Sequence, residues 1–219
     1  MFLRSIDSPR NIESMEYLLY GFYPPINSTS SSSSSSVDAI LFHVVEQEAE
    51  NSDPNTILCP ALQKEFDRLE KQQEYLDYLN KVSIPLKKEI SKILNQPLNS
   101  ISINEFGDTF NCLVCHNKSF PIGVNSSLVQ QFLQANDWET NYRFNSSKVV
   151  SYSCSTFYQE WINFFDSIIS NSSSAPKFVL YSASDTALRV FLTGLGSFNG
   201  IWPPYCSHLE VGINFFYNK

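Results

Sequence analysis

An apolar run, Phe178-Val179-Leu180-Tyr181, gives way after Ser182-Ala183-Ser184 to Asp185-Thr186 and then to Leu188, Phe191, Leu192 and Leu195 at helical spacing, with Gly194 and Gly196 as the stop. A strand that turns into a helix over so short a link is the building unit of α/β proteins. The link, residues 182–186, then lies at the carboxyl end of a strand, where such proteins bind ligands. The expected architecture is therefore α/β, with a mostly parallel sheet flanked by helices.

Helices dominate the rest of the chain. Residues 1–25 read as a phosphate-type loop followed by a short amphipathic helix from Asn11 to Tyr20, with Ile12, Met15, Leu18 and Leu19 on one face and Gly21 with Pro24-Pro25 ending it. Ser28 to Ser36 is low in complexity and has no apolar anchor, so a flexible surface loop is expected. Ala39 to Val45 predicts a short strand ahead of the acidic Glu46, Glu48, Glu50 and Asp53.

From Pro60 onward, Leu62, Phe66, Leu69, Leu76 and Leu79 predict a helix, with the charged stretch 64–74 as its solvated face. Pro85 is expected to break it, and Leu86, Ile90, Ile93 and Leu94 to restart it up to Pro97. A further helix is expected from Ser155 to Ile169. The alternation of Leu209, Val211, Ile213 and Phe215 with polar residues and Gly212 predicts a half-buried strand. Residues 46–144 read as a helical cap inserted into a discontinuous sheet domain made of 1–45 and 145–219.

Composition matters mainly for what it excludes. With 42% hydrophobic residues, 17 Phe and 11 Tyr among 219 residues, the chain has too much apolar surface for a disordered protein. A net charge of -7 repels a polyphosphate backbone, which argues against a nucleic-acid partner. No apolar run is long enough to span a bilayer as a helix, and Met1 to Asp7 shows neither the basic start nor the apolar stretch of a secretory signal. Five cysteines leave at least one unpaired if the others form bridges. Sequons at Asn27, Asn117, Asn125, Asn145 and Asn171 carry little weight in a chain so rich in Asn and Ser.

Two segments carry chemistry. Leu3-Arg4-Ser5-Ile6-Asp7-Ser8-Pro9-Arg10-Asn11-Ile12-Glu13-Ser14 resembles the Arg-Ser-Thr-Asp segment of histidine acid phosphatases, with Ile6 in place of Thr. Leu180 to Leu188 is similar to that family's strand-loop-helix bearing a His-Asp pair, and Leu195-Gly196-Ser197-Phe198-Asn199-Gly200-Ile201-Trp202-Pro203-Pro204-Tyr205-Cys206 continues it. The Arg-Asn-x-Glu-Ser wording and the stretch Cys112-x-x-Cys115-His116-x-x-x-x-Pro121 look most like the lysophosphatidic acid phosphatase branch. Cys112-x-x-Cys115-His116 also spells a haem attachment or zinc pattern. Against that stand the family reading of the stretch and the lack of any other sign of haem or export. A disulfide or buried thiols are expected, and no cofactor or metal.

The resemblance implies a phosphoglycerate-mutase-like fold and phosphomonoester hydrolysis through a phosphohistidine, with a phosphorylated small molecule or lysophospholipid as ligand. It implies a secretory, lysosomal or mitochondrial setting. It assigns Arg4 to phosphate binding and Asp185 to the general acid that protonates the leaving oxygen. Ser184 stands where the family has its second histidine, and a hydroxyl carries no positive charge. The nucleophile motif Arg-His-Gly-x-Arg-x-Pro, which in the family precedes the segment beginning here at Leu3, does not occur in these 219 residues. His43, His116 and His208 lie in no Arg-rich loop and read as structural or surface residues. The expectation is a catalytically dead relative, truncated at the N-terminus and at the C-terminus. The alternatives are an active enzyme whose reading frame begins upstream of Met1 and a non-catalytic binder of phosphorylated ligands. Arg4 and Asp185 are expected to meet at the mouth of the sheet.

Overall fold

The computed structural model describes residues 1–23 and 40–213. The Ser-rich stretch 28–36 lies outside them. Three parallel strands, β1 (Phe2–Ile6), β2 (His43–Val45) and β3 (Val179–Ser182), form a sheet in the order β2-β1-β3. The residues expected to form a phosphate-type loop are thus the central strand. Pairing on both sides, Arg4 opposite His43 and Tyr181, makes a strand of a run whose apolar pattern Arg4 and Ser5 interrupt.

Helix α1 (Pro9–Phe22) packs Met15 and Leu19 under Leu3 of β1. It buries Asn11, Met15 and Leu19 at i, i+4 and i+8, while Leu18 is exposed, and it runs through Gly21 to Phe22 rather than stopping there. β2 is confined to His43–Val45, and Ala39 is not among the described residues.

The expected long helix is two. Helix α2 (Pro60–Leu69) ends at Glu70, and α3 (Gln73–Tyr78) continues through a π turn at Leu79–Ser83 into α4 (Ile84–Leu94). Pro85 does not break this rod. In the wider turn the Ile84 N–H bonds back to the Leu79 carbonyl, and Pro85 occupies the first turn of α4, where its missing N–H costs little. Glu65, expected on a solvated face, is buried against Arg68 and Ser146.

Helices α5 (Ile103–Cys115) and α6 (Ser126–Phe144) close the largest apolar cluster, in which Ile90, Phe110, Phe132 and Ala135 are fully or almost fully buried. Ser102 and Asn125 cap them by accepting from the N–H groups of Glu105 and Leu128. Helix α7 (Ser147–Ile169) starts eight residues before the expected Ser155, because Val149 is needed in the cluster with Leu62 and Leu69.

Helix α8 (Asp185–Gly194) follows β3 as read from the sequence. Residues 209–213 form no strand, since no neighbouring strand among the described residues offers them a ladder, and residues 214 and 215 lie outside the description. No helix of the described residues is long and apolar enough to cross a membrane.

Candidate functional site

The carboxyl end of the sheet gathers charge. Arg4, on the central strand and 7% exposed, directs Nη1 to Glu160 Oε2 of α7 at 2.9 Å and Nη2 to Glu50 Oε1 at 2.6 Å. Nη2 also bonds the side-chain oxygen of Asn51, and the guanidinium lies 5.4 Å from the centre of the Tyr181 ring. The Tyr181 hydroxyl donates to the other oxygen of Glu160, at 2.9 Å. Three side-chain acceptors therefore hold the one cation that the resemblance assigns to phosphate.

Glu50 Oε1 also accepts the Ser52 N–H at 2.6 Å, whereas its buried Oε2 has no partner. Three residues after Glu50, Asp53 accepts from Ser184 Oγ at 2.5 Å. Ser184 is at the same time the cap of α8, accepting the Ala187 N–H at 3.1 Å. Burial pushes the Asp53 carboxyl up to about 6, with the charges of Glu50 and Asp185 adding to the rise and the Ser184 hydrogen bond opposing it.

Asp185 opens α8, where a carboxylate is favoured by the helix dipole. Its Oδ1 accepts the Thr186 N–H at 2.8 Å and its Oδ2 accepts Trp202 Nε1 at 2.5 Å. Both oxygens are thus engaged. Among the described residues, no hydrogen bond or ion pair joins Arg4 directly to Asp185. The two are linked by relay, from Arg4 to Glu50, along the chain to Asp53, and from Asp53 to Ser184, the residue before Asp185.

Behind Asp185 lies a residue that sequence reading missed. Arg189 is fully buried, bonds Asn141 at 2.6 Å through Nη2, and sits 4.8 Å from the Trp202 ring and 5.3 Å from that of Phe198. Its Nε and Nη1 have no partner, and burial pulls the guanidinium down to about 10, a fall resisted by Asp137 and Asp185. The available signal was a lone Arg inside Leu188-Arg189-Val190-Phe191-Leu192. Glu160 and Trp202 were equally unassigned, and the acidic run containing Glu50 and Asp53 carried no role.

The remaining sequence candidates lie elsewhere. His43 is on β2 with its ring stacked 5.2 Å from that of Phe2, His116 caps the end of α5, and His208 is exposed beside Glu210. Cys112 and Cys115 are exposed and unbridged, contrary to the expected disulfide or buried thiols, and Cys112 Sγ lies 3.0 Å from the Tyr205 hydroxyl. They sit one turn apart at the end of α5, where both are exposed.

The profile of the histidine phosphatase superfamily (branch 2) matches residues 1–212. Counting factor 60 of Dictyostelium discoideum is 27% identical over 217 residues, covering 97% of this chain and 50% of that protein. The chain thus spans about half the length of the curated relative it matches.

Proposed function

The chain belongs to the histidine phosphatase superfamily, branch 2, and on that premise we propose that these 219 residues form a phosphatase-like protein without phosphomonoester turnover of its own. The observation that carries this reading is the state of Arg4. A guanidinium held by Glu50, Glu160 and Asn51 has little charge left to offer a phosphoryl group. Ser184 adds a neutral hydroxyl where the resemblance calls for an imidazolium, and that hydroxyl is already given to Asp53. Asp185 is the general acid in this reading. Both of its oxygens are already engaged, by Trp202 Nε1 and by the Thr186 N–H, so neither is free to meet a leaving oxygen. The nucleophile motif is absent from the sequence, so no covalent phosphohistidine forms by the family's route.

The organisation proposed with this function is a sheet domain of 1–45 and 145–219 and a helical cap of 46–144, supported by the concentration of the main apolar cluster between Leu86 and Ala135. The phosphorylated ligands of the family are the class to assay, lysophosphatidic acid included because of the Cys112 to Pro121 wording. Purified chain incubated at acid pH with p-nitrophenyl phosphate or lysophosphatidic acid is expected to release no phosphate above background. Turnover abolished by Asp185→Asn overturns the reading.

A second reading rests on length. Because the chain spans half of its Dictyostelium relative, a longer polypeptide carrying Arg-His-Gly-x-Arg-x-Pro ahead of Phe2 would supply the nucleophile. The transcript sequence upstream of the Met1 codon separates the two.

A further inference from the structure

Cys112 and Cys115 take no part in the phosphate reading, and the structure leaves both exposed and unbridged in the last turn of α5. Residues three apart on a helix share a face, with Cβ atoms about 5 to 6 Å apart. A disulfide needs Cβ atoms at about 3.5 to 4.5 Å, so a regular helix holds two such thiols too far apart for that bond. An ion bridging two sulfurs, at about 2.3 Å from each, needs sulfurs about 4.6 Å apart. Two cysteine side chains leaning together from helical spacing meet that requirement.

The surroundings draw both thiols toward one point. Cys112 Sγ lies 3.0 Å from the Tyr205 hydroxyl, which the chain beyond α8 lays against α5. That hydroxyl is held well above its ordinary range by its contact with Cys112, by partial burial, and by the nearby Asp108 and Cys115. Asp108, Cys112 and Cys115, at i, i+4 and i+7, thus form one stripe of α5 beside Tyr205. The stripe runs to the carboxyl end of the helix, where the backbone dipole favours positive charge.

Donor chemistry selects the ion. Thiolates are soft ligands and prefer Cu(I), zinc or iron–sulfur clusters. Zinc takes three or four protein ligands and the clusters take four, whereas among the described residues no three His, Cys, Asp or Glu side chains converge as a metal set. Cu(I) is satisfied by two thiolates in line. We propose that Cys112 and Cys115 form a two-thiolate site for one Cu(I) ion at the end of α5. Each thiol releases its proton as the ion binds, so the product is a bis-thiolate complex with one negative charge. The Tyr205 hydroxyl donates to the Cys112 sulfur in that complex. The site is independent of phosphate turnover, so it and the phosphatase reading fail separately.

The experiment is anaerobic titration of the fully reduced chain with Cu(I) delivered as its bicinchoninate complex, read by the fall in that complex's absorbance, with zinc(II) as a separate arm. One equivalent of Cu(I) is expected to pass to the chain, and zinc to be held far more weakly. Cys112→Ser and Cys115→Ser should each weaken Cu(I) binding by at least about a hundredfold, because the second thiolate of a chelate acts at high effective concentration. Both positions are exposed, and circular dichroism checks that the helices survive. Cys206→Ser, on the exposed loop beyond Tyr205, should bind as the parent does. Phenylarsine oxide, whose As(III) bridges two neighbouring thiols, should form a one-to-one adduct with the parent and with Cys206→Ser, and none with either α5 variant. The proposal is overturned by a parent that takes up no Cu(I), by uptake unchanged in Cys112→Ser or Cys115→Ser, by its loss in Cys206→Ser, or by zinc held as tightly as copper.

Discussion

Ser184 Oγ donates to Asp53 Oδ1 at 2.5 Å while accepting the Ala187 N–H at 3.1 Å, so one hydroxyl caps α8 and partners a buried carboxyl group. Ser184→Ala removes both bonds. Loss of the cap alone costs about 1 to 2 kcal/mol. Urea denaturation at pH 7.5 should show a lower midpoint with an unchanged m-value, because the surface exposed on unfolding stays the same.

Ser184→His should create an imidazolium beside Asp53 and Asp185 and so reverse part of the local negative field. Phosphate or vanadate binding, read by calorimetry, should be stronger in the variant than in the parent, and more so at pH 5 than at pH 8. Turnover should stay absent. Equal affinities of the two proteins at both pH values would show that this loop no longer forms an anion site.

Asp53 titrates near 6 in the folded chain against an ordinary 3.8, so the folded state holds the proton more tightly. The stability this contributes is complete below about pH 4 and is lost as pH rises through about 6, on the order of 2 to 3 kcal/mol in all. Between pH 4 and 6.5 the parent should lose that much relative to Asp53→Asn, whose carboxamide does not titrate. Parallel stability curves for the two proteins would refute the assignment.

Arg4→Ala leaves Glu50 and Glu160 without their shared cation, with Glu50 buried. A loss of about 3 to 5 kcal/mol is expected. Adding Glu50→Gln should restore part of it, so that the double variant is more stable than the sum of the single losses allows by at least about 1 kcal/mol.

Gly194 ends α8 under the hydroxyl of Tyr158, which donates to the Phe191 carbonyl at 2.6 Å. A methyl group at 194 collides with that hydroxyl. Gly194→Ala should therefore destabilise the chain by about 1 to 3 kcal/mol, against the ordinary helix preference for alanine. In Tyr158→Phe, which lacks the obstructing oxygen, the same change should cost markedly less; equal costs in the two backgrounds would place the strain elsewhere.

The β3 to α8 unit was legible because its signals are local: an apolar run, a helix start at Asp185-Thr186 and a glycine stop all lie within twenty residues or so. The strand Phe2–Ile6 was not, because Arg4 and Ser5 break its apolar pattern and only pairing with β2 and β3 gives it strand character. The misread alternation at 209–213 is the converse case, a pattern with no ladder to join. At the site, Arg4, Ser184 and Asp185 were reached through resemblance. Glu50, Asp53, Glu160 and Arg189 were not, because what marks them is their contact with residues distant in sequence.

The position of β1 at the centre of the sheet orders the chain's folding in time. Phe2 pairs with Val179, so β1 precedes β3 by more than 170 residues and cannot be paired on both sides until β3 has been synthesised. The cluster joining α4, α5 and α6 is built from contacts nearer in sequence, whereas β1 stays half-paired at best until β3 has been synthesised. The Arg4–Glu50 and Arg4–Glu160 pairs likewise join residues far apart in the chain, so the buried site depends on segments synthesised long after Arg4.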